Sequence, residues 1–395
     1  MKIKFRGEEP VSVFPDFFMR LFRKQFFAGR GIMKMESCPA KGKKKMELSK
    51  ITEPLLGWYG ENARSLPWRD NPTPYRVWVS EIMLQQTRVE AVRPYFERFV
   101  RELPDLRALA EVSEDRLLKL WEGLGYYSRA RNLQKAARAV LEQYGGVLPS
   151  DPKELLKLPG IGEYTAGAIS SIAYGRPEPA VDGNVLRVLA RLTADGRDIR
   201  GAAVKRGAAE KLRGVYPAGR SGDFTQALME LGATVCLPNG APLCAGCPLS
   251  ALCEGLKTGQ AASLPVVSPK PARREEKKTV FLILCGGKAA LRKRPETGLL
   301  AGMWEFPCVP GTLSAGEARR TLDEWGFPEA EAEPLPGAKH VFTHVEWHMA
   351  GYLAHTKERA DGFFWAGPED LSARCAVPSA YKNFLRILKS RGELC

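Results

Sequence analysis

Leu158-Pro-Gly-Ile-Gly162-Glu-Tyr-Thr-Ala166, followed by Val181-Asp182-Gly-Asn184, reads as a tight glycine turn, a helix of small residues and a carboxylate held in a second turn. Glycines at 160 and 162 let backbone N–H groups come close to a phosphate, and the start of the following helix favours negative charge. Asp182 lies downstream, placed to face the chain that owns such a phosphate. The same residues read equally as two ordinary loops flanking a core helix, because a short glycine motif is weak evidence alone.

Working outward, residues from Leu48 to about Ala251 have a helical texture. Val77, Trp78, Glu81, Leu84 and Gln85 recur at helical spacing, as do Leu117, Leu118, Trp121 and Leu124. Turn signals at Gly145-Gly146, Pro159-Gly160, Gly175, Asp182-Gly183 and Asp195-Gly196 separate the pieces. Residues 256–278 are polar, proline-bearing and charged, and read as a linker. Beyond them Thr279–Cys285 is an apolar run of buried-strand type, and Val341–Met349 alternates like one half-buried strand. The fold expected is a mainly α region over 48–255 followed by an α+β domain over 279–395. Residues 1–47 read as a basic extension: the first 50 residues hold 13 Lys/Arg against 5 Asp/Glu, within a chain of net charge +14. That charge suits a polyanionic partner such as nucleic acid. No run of 18 apolar residues occurs, so no membrane span is expected.

Cys236-x7-Cys244-x2-Cys247-x5-Cys253 brings four thiols within 18 residues. Four thiolates suit a 4Fe–4S cluster or a structural zinc, and spacing alone does not choose between them. The chain has nine cysteines, an odd number, and no clean signal peptide. This fits a metal site in a reducing, intracellular compartment better than a disulfide framework. The array resembles the cluster loop of the endonuclease III/MutY group of DNA glycosylases, which implies a 4Fe–4S cluster on Cys236, Cys244, Cys247 and Cys253. Two departures stand out. The first gap is seven residues where the family usually has six, and Leu237–Leu243 lacks the basic residues that serve phosphate contact in the family.

Two carboxylates carry the chemistry. Glu81 falls on an apolar helix face, where desolvation should raise its pKa as a general acid requires. Asp182 precedes a helix beginning near Asn184, whose N-terminal charge and N–H donors should keep it ionised. Such a pair, pushed in opposite directions, suits N-glycosidic cleavage: one group protonates the leaving base and the other stabilises an oxocarbenium-like sugar. The bland readings are a solvated helix glutamate and a helix-capping aspartate.

Trp68-Arg69, Trp78–Thr87, Trp121–Arg129, the glycine hairpin and Val181–Asn184 stand in the order found in MutY-type adenine DNA glycosylases, and the resemblance is dense over residues 50–255. It implies a helix-hairpin-helix glycosylase of base excision repair, in which Glu81 protonates adenine and then activates water while Asp182 stabilises the sugar cation. It puts Trp68, Arg69, Leu84 and Gln226 in the adenine pocket, Gln86 and Thr87 against the opposite base, and Leu124 and Tyr126 at the intercalating wedge. Gly160 and Gly162 would hold the DNA backbone. Tyr164 stands where the lyase branch has a Schiff-base lysine, a bond that tyrosine cannot form. It is read here as a catalytic-site group near Asp182 or the sugar.

All four histidines (340, 344, 348 and 355) lie in the C-terminal region. A metal reading of the first three is rejected for want of an acidic ligand set. Phe342-Thr343-His344 resembles the Phe-Ser-His loop with which the family recognises 8-oxoguanine, with Thr343 keeping the hydroxyl. The domain resembles a Nudix fold, but Gly311–Phe327 lacks the glutamate box, so pyrophosphate hydrolysis is not expected. The partner expected is double-stranded DNA with adenine opposite 8-oxoguanine or guanine, bound by a monomer. An endonuclease III-like pyrimidine-lesion glycosylase/lyase and a decayed mismatch-binding protein are the alternatives.

Overall fold

The computed structural model describes residues 47–238, 240–269 and 271–394, so nearly all of the basic extension read at 1–47 lies outside the described residues. The helical region forms two lobes with separate cores. One core gathers Trp78, Phe96, Phe99, Trp121, Leu133 and Ile169. The other gathers Leu55, Val185, Leu189, Phe224, Leu228 and Leu231, with Cys236, Cys247 and Cys253 at its edge. The Thr52–Asn62 helix packs in the second lobe although it is the first α-helix among the described residues, so the polypeptide crosses between the lobes twice. The cleft between the lobes is where Glu81 and Asp182 meet.

Local sequence explains the pieces around that cleft. The Pro74–Leu84 helix starts with Thr73 as N-cap and Pro74 in its first turn, and it buries nearly every residue, Glu81 included. The hairpin at 158–162 buries Leu158 and Ile161 and turns through Gly160 at φ +78°, a left-handed value that glycine adopts without strain. A Cβ at Gly167 would lie 2.2 Å from the carbonyl oxygen of Pro179. The helix after the hairpin can therefore lie directly against the segment that delivers Asp182. Asp182 is the N-cap of the Gly183–Leu192 helix and accepts the Val185 N–H at 2.7 Å.

The C-terminal region is built on β1 (Arg274–Cys285), β2 (Lys288–Lys293), β3 (Trp304–Glu305), β4 (Cys308–Pro310), β5 (Glu333–Val341), β6 (Val345–His355) and β7 (Phe364–Ala366). The sheet order is β3-β2-β1-β6-β5, with β4 also on β1 and β7 also on β2. β1 and β6 run parallel, in register from Arg274 opposite Val345 to Leu284 opposite His355. Val280, Leu282 and Leu284 enter one core with Tyr381 and Phe384, whereas Phe281 and Ile283 enter the other with Ala318 and Leu322. Burial on both faces is why 279–285 reads as a continuous apolar run rather than an alternating one.

Two sequence expectations need correction. Val341–Met349 is not one strand: β5 ends at Val341, β6 begins at Val345, and Phe342–His344 forms the turn between them. The alternation carries through the turn because Phe342 folds back onto Trp347, with ring centroids 4.8 Å apart. The stretch read as a linker at 256–278 is largely structured. Leu264 is buried and accepts a hydrogen bond from Arg191, Val266 pairs with Asp198, and β1 already starts at Arg274 because its charged residues have a parallel partner in β6. Among the described residues no helix is long and apolar enough to cross a membrane.

Candidate active site and DNA-facing groove

Glu81, Tyr164, Asp182, Trp68, Arg69, Leu84 and Gln226 line one pocket of about 160 Å³ between the lobes. Glu81 is 5% exposed, and the Tyr164 hydroxyl donates a short hydrogen bond to its Oε2. Burial dominates its titration and pushes it up to about 7, the neighbouring Asp182 charge adding to the shift and the Tyr164 bond opposing it. Burial among the same groups lifts the Tyr164 phenol well above its usual range, so it stays a neutral donor.

The expectation that Asp182 is pushed the opposite way fails. Its pKa is also raised: burial outweighs the Val185 N–H, the Asn184 amide and the Arg187 charge that pull it down. The two carboxyls therefore differ in degree of burial rather than in direction of shift. The Asn184 amide donates to Asp182 Oδ2 at 2.7 Å, Arg187 donates to Asn184 Oδ1 at 2.8 Å, and the Arg187 Nε donates to the Cys236 carbonyl at 2.7 Å. A continuous hydrogen-bond chain thus joins Asp182 to the cysteine loop, a connection that sequence spacing did not disclose.

Arg69 and Trp68 hold the pocket wall. Arg69 donates to Glu230 at 2.8 Å, and Arg64 donates to the same carboxylate at 2.6 Å. Burial would raise the pKa of Glu230, but the two guanidinium groups together hold it below the usual range. Trp68 packs edge-on against Phe96 and is 6% exposed. Gln226 is half-buried at the pocket wall, and among the described residues its amide makes no hydrogen bond.

The pocket opens on a groove of about 1290 Å³ that shares Leu84, Thr87, Tyr164, Asp182 and Asn184 with it. Gly162 and Glu163 of the hairpin line the groove, as do Arg88, Arg187, Arg200 and Lys205. Pro238 of the cysteine loop also lines the groove. Arg200 and Lys205, which carried no signal in the sequence, give the groove basic groups that the loop lacks.

At one end of the groove two turns protrude. Gln86 is exposed at φ +58° and Tyr126 is 43% exposed at φ +48°. Left-handed backbone at non-glycine residues is uncommon and clusters at functional sites. Arg129 ties the two turns together: its Nη1 donates to the carbonyls of Ile82, Met83 and Gln85, and its Nη2 to those of Leu124 and Gly125. Leu124 is not a wedge. It is 7% exposed and belongs to the helical core, because Gly123 and Gly125 turn its side chain inward while Tyr126 points out.

Tyr126 also meets the C-terminal region. Its hydroxyl lies 2.7 Å from Thr343 Oγ1, and Gln86, Tyr126, Phe342, Thr343 and His344 line a cavity of about 490 Å³. The histidines do not converge. His355 faces Glu393, and His340 packs edge-on against Phe342. His348 does meet two carboxylates, contrary to expectation: Glu346 and Glu275 lie within 4.8 Å of it, but Lys339 already pairs with Glu346 at 2.6 Å. In the 311–327 segment, Glu317 is engaged in a capping box with Ser314.

The four cysteines of the loop line one small cavity with Arg191, Pro242, Leu243 and Ala261. The seven-residue gap closes because the Leu243 N–H donates to the Val235 carbonyl at 2.9 Å, which returns the chain beside Cys236.

Residues 79–213 match the model of the HhH-GPD superfamily of base excision DNA repair proteins, and residues 279–386 match a NUDIX domain. The chain is 35% identical to the adenine DNA glycosylase of Mus musculus, over 86% of this chain and 78% of that one. It is 38% identical to the adenine DNA glycosylase of Homo sapiens, over 87% of this chain and 75% of that one. The chain belongs to the adenine DNA glycosylase family. This family acts on N-glycosyl bonds in base excision repair, and the chain carries its helix-hairpin-helix region and its Nudix-like C-terminal domain. The solved structure of a thermostable thymine-DNA glycosylase is similar at 28% identity, covering 53% of this chain and 97% of that one with a TM-score of 0.48.

Proposed function

We propose that this chain is a monofunctional adenine DNA glycosylase that hydrolyses the N-glycosidic bond of adenine opposite 8-oxoguanine or guanine in duplex DNA. The observation that carries the reading is the buried Glu81, hydrogen-bonded by Tyr164 and facing Asp182 in a pocket that opens on a basic groove. An extruded adenine enters the pocket from the groove. Glu81, protonated near neutrality, gives its proton to the base, and the resulting carboxylate then activates water. Asp182 stabilises the cationic sugar, and Tyr164 orients the Glu81 carboxyl. The free Gln226 amide offers a donor and an acceptor to a purine edge. No lysine lines the pocket among the described residues, which supports a glycosylase without a Schiff-base step. The Phe342–His344 turn reads the opposite base together with Gln86 and Tyr126, and the 158–162 hairpin holds the backbone. The assignment is tested by adenine release from an 8-oxoguanine:A duplex under single-turnover conditions.

The cysteine loop fits a 4Fe–4S cluster better than zinc. A tetrahedral zinc draws its thiolate sulfurs to roughly 3.8 Å from one another, given a metal–sulfur bond of about 2.3 Å. Among the described residues, no three of the four cysteine sulfurs lie within 4.8 Å of one another. Burial pushes the Cys247 thiol up to about 11, so a cationic centre is needed to hold it as thiolate. Cys236, Cys244, Cys247 and Cys253 would hold the cluster. Purified protein is expected to contain about four iron and four sulfide per chain; one zinc per chain and no iron would contradict this.

DNA binding should depend on the basic groups that line the groove. Replacing both Arg200 and Lys205 by alanine is expected to reduce the slope of log affinity against log salt by about 2, since each phosphate contact contributes about 0.9. An unchanged slope would place the DNA backbone elsewhere.

A further inference from the structure

The helical region and the C-terminal domain meet beside the Glu114–Trp121 helix, and two of the contacts there are polar and shielded. Lys119 has a side chain only 13% exposed. Its Nζ donates to Glu122 Oε2 at 2.6 Å, to the Leu371 carbonyl at 2.6 Å and to the Cys375 carbonyl at 3.4 Å. Leu371 lies near the end of the Pro368–Ala373 helix and Cys375 just beyond it. Carbonyls there lack intrahelical donors and carry the negative end of the helix dipole. Lys119 therefore caps a helix that belongs to the other domain. The second oxygen of Glu122 accepts the Val377 N–H at 2.8 Å. Between these anchors Ala376 and Met303 sink into the core of the helical region, and the Trp304 N–H donates to the Ala376 carbonyl.

Glu122 also stands immediately before the Gly123–Tyr126 turn. One end of this short stretch grips Val377 and the other meets Thr343 through Tyr126. Neither Lys119 nor Glu122 lines the base pocket or the groove. The nearby Lys293–Asp115 ion pair is 38% exposed on both sides, and exposed pairs of this kind contribute little. Lys119 and Glu122 are thus the shielded polar link between the turn that carries Tyr126 and the domain that carries Thr343.

We propose that Lys119 and Glu122 are positioning residues for opposite-base selection. They seat the C-terminal domain so that the Phe342–His344 turn stands against Tyr126 and Gln86, and without them the preference for 8-oxoguanine over guanine is lost while adenine excision persists. This rests on the reading of that turn given under the proposed function.

The test compares single-turnover adenine release from 8-oxoguanine:A and G:A duplexes, using the full-length protein with its cluster in place. Lys119→Met and Glu122→Ala are each expected to lower the ratio of the two rates about tenfold, the scale of a typical coupling between sites. The G:A rate should stay within about threefold of the parent. Glu122→Gln, whose amide oxygen still accepts from Val377, should keep the ratio within about twofold. Limited proteolysis should cut faster between the two domains in the first two variants and at the parent rate in the third. A ratio unchanged in both Lys119→Met and Glu122→Ala overturns the proposal, as does a proportional fall of both rates, which would mark a merely structural role. Should the parent release no adenine from either duplex, the function reading fails, and the seating role is judged by proteolysis: equal cutting of parent and variants overturns it.

Discussion

Replacing Glu81 by glutamine is expected to slow adenine release by roughly a thousandfold or more, within the span that a positioned general acid contributes. The substitution keeps the shape and the acceptor for the Tyr164 hydroxyl but removes the transferable proton. The parent rate should also report the buried carboxyl. Because burial pushes Glu81 up to about 7, the protonated acid is present below that pH, and the rate should fall about tenfold per unit above it. Stability moves in the same window. Between the ordinary value of 4.5 and about 7 the folded state binds a proton that the unfolded state has released, so stability declines as pH rises across that interval. Above pH 7 the ionised Glu81 costs about 3 kcal/mol relative to acid conditions. Glu81→Gln should therefore be more stable than the parent at pH 8, with the advantage shrinking towards pH 4.5. Denaturant titrations of both proteins across this range check the sign; an advantage that grows on acidification would contradict a carboxyl desolvated in the folded state.

Replacing Asp182 by asparagine should lower the rate by roughly a hundredfold or more, the scale of losing one preorganised electrostatic stabiliser. The fold should barely respond. Asparagine is as good an N-cap as aspartate, so the Val185 N–H keeps an acceptor and the Gly183–Leu192 helix keeps its start. Asp182→Ala should match the loss of rate and in addition cost about 1 kcal/mol of stability. The three proteins together separate the two roles of one side chain. If Asp182→Asn were as active as the parent, Asp182 would be a cap and nothing more. The acidic limb of the parent pH profile should lie above the range of an exposed aspartate, because burial raises Asp182 as well.

The helical texture, the cysteine array and the Glu81/Asp182 pair were legible because each is written in local spacing. Leu124 was misread since a leucine between two glycines looks the same whether the turn points it out or in; only the left-handed backbone at 123, 125 and 126 decides it. The direction of the Asp182 shift was misread for a related reason. The N-terminal donors are visible in sequence, but the burial that outweighs them exists only in the folded packing. The Phe342–His344 turn was hidden inside an alternating pattern because its phenylalanine continues the apolar face of β6. Glu230 and Lys119 gave no signal, and Glu122 and Arg129 stood in the Trp121–Arg129 motif without a role, as their partners lie far along the chain or are backbone carbonyls.

Single-turnover base release from three duplexes carrying 8-oxoguanine:A, G:A and thymine glycol, each with and without borohydride, separates an adenine glycosylase from both alternatives. Adenine should be released from 8-oxoguanine:A, and from G:A more slowly, with no efficient covalent trapping on any of them. Release of thymine glycol with a strong borohydride-trapped adduct, or tight binding of 8-oxoguanine:A without any adenine release, would contradict it.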